Sequence, residues 1–177
     1  MLNRTLAAIG VAALIVSGGL QAWSQRPAGA SAQEMVQIDG SKNPELIPEW
    51  SAWGFAFRVF AAGSRQLPTS IYSVVSAEET ALILKEADQV QKADQECQSR
   101  IVKLNALLGK EKNEVLDTRL RELTLECRWA TLHARDRLLE VLAPEGRSAL
   151  GAFVASTKTG TSLSIPKKDL ARFLEPQ

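Results

Sequence analysis

The sequence is poor in the side chains on which most enzymes and metal proteins rely: its 177 residues include one histidine, His133, and two cysteines, Cys97 and Cys127. With so few soft ligands no tetrahedral set of nitrogen and sulfur donors can be assembled within the chain, and neither a metal nor another cofactor is expected. No serine or cysteine stands in a nucleophile elbow or beside a second plausible base. Apart from Gly18-Gly19 near the N-terminus the glycines are isolated, and none forms a phosphate-cradling loop behind a strand. A non-enzymatic protein is the expectation. Charge of one sign is missing as well: 21 Lys and Arg against 20 Asp and Glu leave +1, no field able to gather nucleic acid or anionic lipid over the surface. Nucleic acid is therefore set aside as a partner. Aromatic residues make up only 6% of the chain, and the apolar remainder is mostly Ala, Leu and Val, which suits close helix packing better than β-sandwich strands. The length admits one domain plus a leader.

Residues 1–24 read as that leader. Arg4 supplies a short positive region, and Leu6 to Leu20 form an apolar stretch followed by small residues, as secretory signals require. Ala22-Trp23-Ser24 is the first candidate cleavage tripeptide and Ala30-Ser31-Ala32 a later one. An uncleaved leader would instead act as an N-terminal anchor, the chain's one route to the membrane, although its apolar part is short for a span. In either case everything after Arg26 lies outside the cytoplasm, in the periplasm or an equivalent compartment, where disulfides persist.

Residues 25–47 mix Gln, Ala, Gly, Ser and Pro without helical period and read as an extended tether, with Asn43 placed to cap a short turn that begins at Pro44. A helical domain is expected over 48–157. It opens with a helix from Pro48 to Ala62 whose Trp50, Trp53, Phe57 and Phe60 recur at spacings of three and four, and Gly63 ends it. Ser76-Ala77-Glu78-Glu79 is a capping box, the Ser76 hydroxyl accepting from the Glu79 amide and the Glu79 carboxylate from the Ser76 amide. A long helix follows to Leu108, with Gly109 as its stop, Lys110 to Asn113 as the reversal, and a second long helix from Glu114 to Leu142.

The register of this hairpin, 76–142, follows from its turn. Ile83, Ala87, Val90, Asp94, Cys97, Ile101, Leu104 and Leu108 advance by alternating steps of four and three. Leu116, Leu120, Leu123, Cys127, Ala130, Ala134, Arg137 and Val141 do the same on the second arm. Reflection about the turn pairs Leu108 with Leu116, Leu104 with Leu120, Ile101 with Leu123, and Cys97 with Cys127. A disulfide needs Cα atoms within about 7 Å; two buried free thiols acting as small apolar residues are the alternative. Asp94 and Arg137 stand in the seam about a heptad apart, as register-setting or edge residues. Leu125, Trp129, Leu132, Leu139 and Leu142 make a further stripe that the narrow seam cannot bury, so the aromatic face of the 48–62 helix is expected to cover it. Leu150, Phe153 and Val154 of a final helix, Pro144 to about Ser156, complete a three- to four-helix, all-α bundle. The tail, 158–177, is loop-like except for a short docked helix over Pro166 to Leu174 with Leu170 and Phe173 inward. Convincing strands are absent.

Leu142-Ala143-Pro144-Glu145-Gly146-Arg147 resembles the LTPEQR form of the LTxxQ motif of Spy/CpxP-type periplasmic proteins, and Val75-Ser76-Ala77-Glu78-Glu79 resembles a second, degenerate copy. Ala143 stands where the motif has its capping threonine and Gly146 where it has glutamine, so Ser76, Glu79, Leu142, Pro144, Glu145 and Arg147 carry the likeness. It implies a small all-α cradle-like homodimer that binds unfolded envelope proteins without ATP, or that senses stress or metal. Arg119, Arg121, Arg128 and Arg135, with Trp129 beside them, are the candidate client or partner surface on the second arm, against the alternative of an ordinary solvated face. Three readings stand: an exported chaperone-like binding protein, a structural or assembly subunit presenting the coiled-coil hairpin to a protein partner, and a metal or small-molecule sensor.

Overall fold

The computed structural model describes residues 34–62, 67–109 and 113–175. The leader, residues 25–33 of the tether, the helix stop at Gly63 and the bend at 110–112 lie outside the described residues. In chain order the elements are strand β1 (Met35–Asp39), a 3-10 turn (Pro44–Leu46), α1 (Glu49–Ala62), α2 (Thr69–Tyr72), α3 (Ala77–Leu108) and α4 (Glu114–Val141). They are followed by α5 (Pro144–Thr159), β2 (Ser162–Pro166), a 3-10 turn (Lys167–Asp169) and α6 (Leu170–Leu174). The architecture is an all-α bundle organised on one long antiparallel hairpin, α3 against α4. Among the described residues no helix is long and apolar enough to cross a membrane.

Local chemistry accounts for the hairpin ends. Ser76 Oγ accepts from the Glu79 amide at 3.1 Å and Glu79 Oε2 from the Ser76 amide at 2.8 Å, the expected reciprocal box. Asn113 opens α4, its Oδ1 accepting from the amides of Val115 and Leu116 at 2.9 and 3.4 Å. The 32 residues of α3 span about 48 Å at 1.5 Å per residue, and the 14 of α1 only about 21 Å. So α1 can cover less than half of the hairpin, and it lies on the open end. There Trp53, Phe57 and Phe60 are buried against Ile83, Ala87, Val90, Ala134, Leu138 and Leu142, while Leu150 and Val154 of α5 close the cluster. Phe60 meets Phe153 with ring centroids 5.4 Å apart. Glu49 joins α1 to the end of α5, accepting from Trp53 Nε1 at 3.1 Å and pairing with Lys158.

The seam on α4 departs from expectation beyond Cys127. Ala130, Arg137 and Val141 are exposed, Val141 to 59%, whereas Leu138 and Leu142 are buried. Each buried leucine is one residue further along, about 100° further round the helix. The reason is the third helix: where α1 lies on the hairpin, the inward direction is the axis of three helices rather than the line between two. The additional stripe is covered accordingly, with Leu132 and Leu142 buried and Leu139 packed against the core, but Trp129 stays 45% exposed.

Two strands correct the all-helical reading of the flanks. β1 and β2 pair antiparallel, with Val36 opposite Ile165 and Ile38 opposite Leu163. Ile38 and Ile165 are buried, so the second half of the tether and the start of the tail close the sheet over the core. Each strand is a five-residue run with two to three apolar positions, too short to announce itself, and its partner stands more than 120 residues away. Gly40 belongs to this junction: its amide donates to Thr161 O at 2.9 Å, and a Cβ there would sit 1.9 Å from the Lys158 carbonyl oxygen. The Asn43 side chain makes no cap. Asp39 holds the turn instead, its Oδ1 accepting from the Ser41 amide and hydroxyl, which keep its carboxyl below the ordinary value.

Candidate functional site

The hairpin divides at its disulfide. Cys97 and Cys127 are bonded across α3 and α4 with Cα atoms 6.1 Å apart, the pairing expected from reflection about the turn. On the open-end side Ile83, Ala87, Val90 and Ala134 of the seam are buried beneath α1, together with Leu138 and Leu142. On the tip side Leu123 is buried, but Ile101, Leu104, Leu108, Leu116 and Leu120 are only half-buried, and no residue of α3 after Val90 is buried. Val102, Leu107 and Val115 are exposed outright, Val115 to 75%. Two helices alone enclose this seam only at Leu123, since each leaves more than half its circumference to solvent. The distal hairpin is therefore a long apolar surface stapled at its base by a covalent bond. Beside that staple lies a cleft of about 340 Å³, lined chiefly by Gln89, Ala93, Ala130, His133, Ala134 and Arg137. His133 stacks on Trp129 with centroids 5.8 Å apart. Among the described residues no three His, Cys, Asp or Glu side chains are grouped to hold a metal.

The arginines of α4 do not form one basic face. Arg119 pairs with Glu122 at 3.0 Å and Glu126 at 3.4 Å, and the bond to Glu122, then the charge of Glu126, hold its pKa above the ordinary value. Arg121 pairs with Asp117 at 2.8 Å and Arg135 with Asp136 at 2.7 Å. Asp94 and Arg137 do not pair with each other: Arg58 of α1 reaches Asp94 at 3.6 Å, and Arg137 crosses the hairpin to Glu86 at 3.0 Å. These last two contacts bridge α1 to α3 and α3 to α4 at exposed edges of the bundle, where ion pairs add little to stability.

Arg128 departs furthest from the expected surface role. Its guanidinium lies 4.4 Å from the ring centre of Trp50 and 5.8 Å from that of Phe173, and its Nη1 donates to the carbonyls of Arg172, at 2.6 Å, and Glu175. Burial, then the neighbouring Arg172, pushes its pKa down to about 10, so it stays cationic near neutrality. Trp50 and Phe173 meet edge-on at 5.3 Å. Arg128 thus fastens α6 to α1 and α4, an arrangement that its place in a run of helix arginines gave no reason to expect.

The two motif-like helix starts come together through one carboxylate. While Glu79 Oε2 holds the Ser76 amide, its Oε1 accepts from the Ala143 amide at 2.7 Å. Ala143 is the N-cap of α5 and Gly146 its third residue, the position whose side chain would ordinarily reach back to that amide. Gly146 has none to offer, and a Cβ there would lie 3.3 Å from Val75 Cγ1 and 3.4 Å from Glu79 Oε1. Glu79 therefore completes the caps of α3 and α5 at once. Leu142 is buried below the junction, Pro144 and Glu145 face outward, and Arg147 Nη1 donates to Leu139 O at 3.5 Å. The Ser76 amide first and the Ala143 amide second hold the Glu79 carboxyl below 4.5. A group so lowered contributes stability above its unfolded pKa and loses it as pH falls through the folded one. Glu79→Gln, with one acceptor oxygen for two amides, is expected to melt below wild type at pH 7, with the difference shrinking as pH drops below about 4.5. A pH series of thermal melts showing a pH-independent difference would remove Glu79 from this role.

No protein-family model, no curated protein and no solved structure matches this chain. The candidate site stands on its own geometry: the distal hairpin, the Glu79 junction and the Arg128 clamp.

Proposed function

We propose that this chain is a non-enzymatic, exported helical protein that holds apolar segments of other polypeptides along the distal half of its hairpin, without nucleotide, in the manner of Spy/CpxP-type proteins. One observation carries the reading. Beyond the disulfide the leucines and valines of both arms, Leu123 excepted, are left half-exposed or exposed, on an element that neither α1 nor α5 is long enough to cover. An accumulation of exposed and half-exposed apolar side chains of this kind supports a protein-interaction site. Export is supported by the Arg4 and Leu6 to Leu20 leader pattern and by the cystine, which suits an oxidising compartment. The pairing of Arg119, Arg121 and Arg135 with acids of the same helix favours a second reading, an assembly subunit whose hairpin engages one discrete partner by apolar contact rather than by general attraction for acidic clients.

Light scattering of a denatured client enzyme, diluted with equimolar protein and no ATP, tests the first reading. Wild type is expected to suppress aggregation, and Leu107→Glu/Val115→Glu, which alters only exposed positions, to lose most of the effect while melting within about 1 kcal/mol of wild type. Equal suppression by both proteins would move the working surface elsewhere. No suppression by either would reject client holding and leave the assembly reading, for which a photo-crosslinking residue at position 115 would trap a single species.

A further inference from the structure

The C-terminal segment rests in a cleft whose chemistry is that of a peptide-docking site. α6 is five residues long and none of them is buried. A helix so short has no stability of its own, so its form depends on what holds it. Leu170 and Phe173 pack against the edge of the core, Trp50 meets Phe173 edge-on, the Arg128 cation lies over both rings, and its Nη1 binds the carbonyls of Arg172 and Glu175. A cation on the last carbonyls of a helix is favourable whatever the sequence. Trp50 Nε1, buried in the same wall, meets no acceptor among the described residues, so α6 leaves one donor of the cleft unused. A five-residue helix with no buried residue, held by two partly buried apolar side chains and by backbone contacts to one guanidinium, sits at the edge of the core as a resident ligand would.

We propose that the Trp50–Arg128 cleft is a second polypeptide-binding site, which takes the C-terminal end of a short helical segment bearing one aromatic residue, and that α6 is its displaceable occupant. The inference rests on the client-holding reading only for the source of the incoming segment. While α6 sits in place, the apparent affinity for an outside segment is reduced by the fraction of molecules in which it is open.

A fluorescein-labelled peptide of residues 167–175 is the probe, and anisotropy the readout, on the full chain. Phe173→Ala is expected to bind it about tenfold or more tighter than wild type, as removal of an occupant present in most molecules requires. Phe173→Ala/Arg128→Gln is expected to lose the gain, and a probe with its phenylalanine replaced by alanine to bind neither protein. Should Phe173→Ala fail to fold by circular dichroism, Phe173→Leu, apolar but without a ring for the guanidinium, takes its place with the same expectation. Equal affinity of wild type and variant, or binding that survives the loss of Arg128, would overturn the proposal. The scattering assay on the same proteins separates the two ideas. Peptide exchange without suppression of aggregation keeps the cleft and rejects client holding. Suppression with no peptide exchange keeps client holding and rejects the cleft.

Discussion

Breaking the Cys97–Cys127 bond, by reduction or as Cys97→Ala/Cys127→Ala, is expected to destabilise the protein by about 3–4 kcal/mol, the loop-entropy value for a crosslink of this span. The bonded residues are 30 apart in sequence and enclose the bend of the hairpin. In the unfolded chain the bond removes the freedom of that whole loop, and in the folded chain it costs little, because the arms already run side by side. For a domain of this size the thermal midpoint should fall by roughly 10 °C. The loss should be uneven. The open end keeps its three-helix core, so amides of α3 before Val90 should stay protected from hydrogen exchange, while those from Ile101 onward, whose seam is only half-buried, should open first. A midpoint unchanged within about 2 °C would mean that the bond adds nothing the seam does not already supply. The same experiment bears on function, because a client-holding surface that loosens when reduced would work only in an oxidising compartment.

Phe60→Ala is expected to cost about 3–5 kcal/mol, the range for truncating a fully buried aromatic. Phe60 is inaccessible to solvent and stands where α1 touches both the hairpin and, through Phe153, α5. The void left there is walled by side chains of α3, α4 and α5 that are themselves packed in the same cluster. Chemical denaturation should register the loss as a lower midpoint. The distal hairpin, which has no contact with Phe60, should keep its helical signal until the disulfide is reduced as well. A cost under about 1 kcal/mol would show that α1 is not the keystone of the open end.

How much of this was readable in advance varies with the distance over which each feature is decided. The hairpin and its cystine were legible because one bend sets the register of both arms, and every apolar step from Leu108 and Leu116 outward is a local count. The box at Ser76 and Glu79 spans three residues and was equally plain. The second bond of Glu79, to the Ala143 amide, was invisible: it crosses 64 residues and answers the absence of a side chain at Gly146. Phe173 was expected to turn inward, but its partners Trp50 and Arg128 come from two other helices. Arg128 carries the same charge and helix position as its neighbours, and only the cleft beneath it makes it different. Trp129 was placed in a stripe that α1 should cover, but α1 meets its neighbours Arg128 and Thr131 and leaves Trp129 on the exposed side of α4.

By itself, then, the sequence determined the helical class, the two long antiparallel arms and the pairing of sulfur with sulfur, because these depend on periodicity and capping within a few residues. Tertiary structure alone decided which arc of α4 faces the core, that the flanks pair as β1 and β2, and that one carboxylate and one guanidinium each serve several elements. Those outcomes follow from where a third helix lies on the other two, and that placement is settled by packing among residues far apart in the chain.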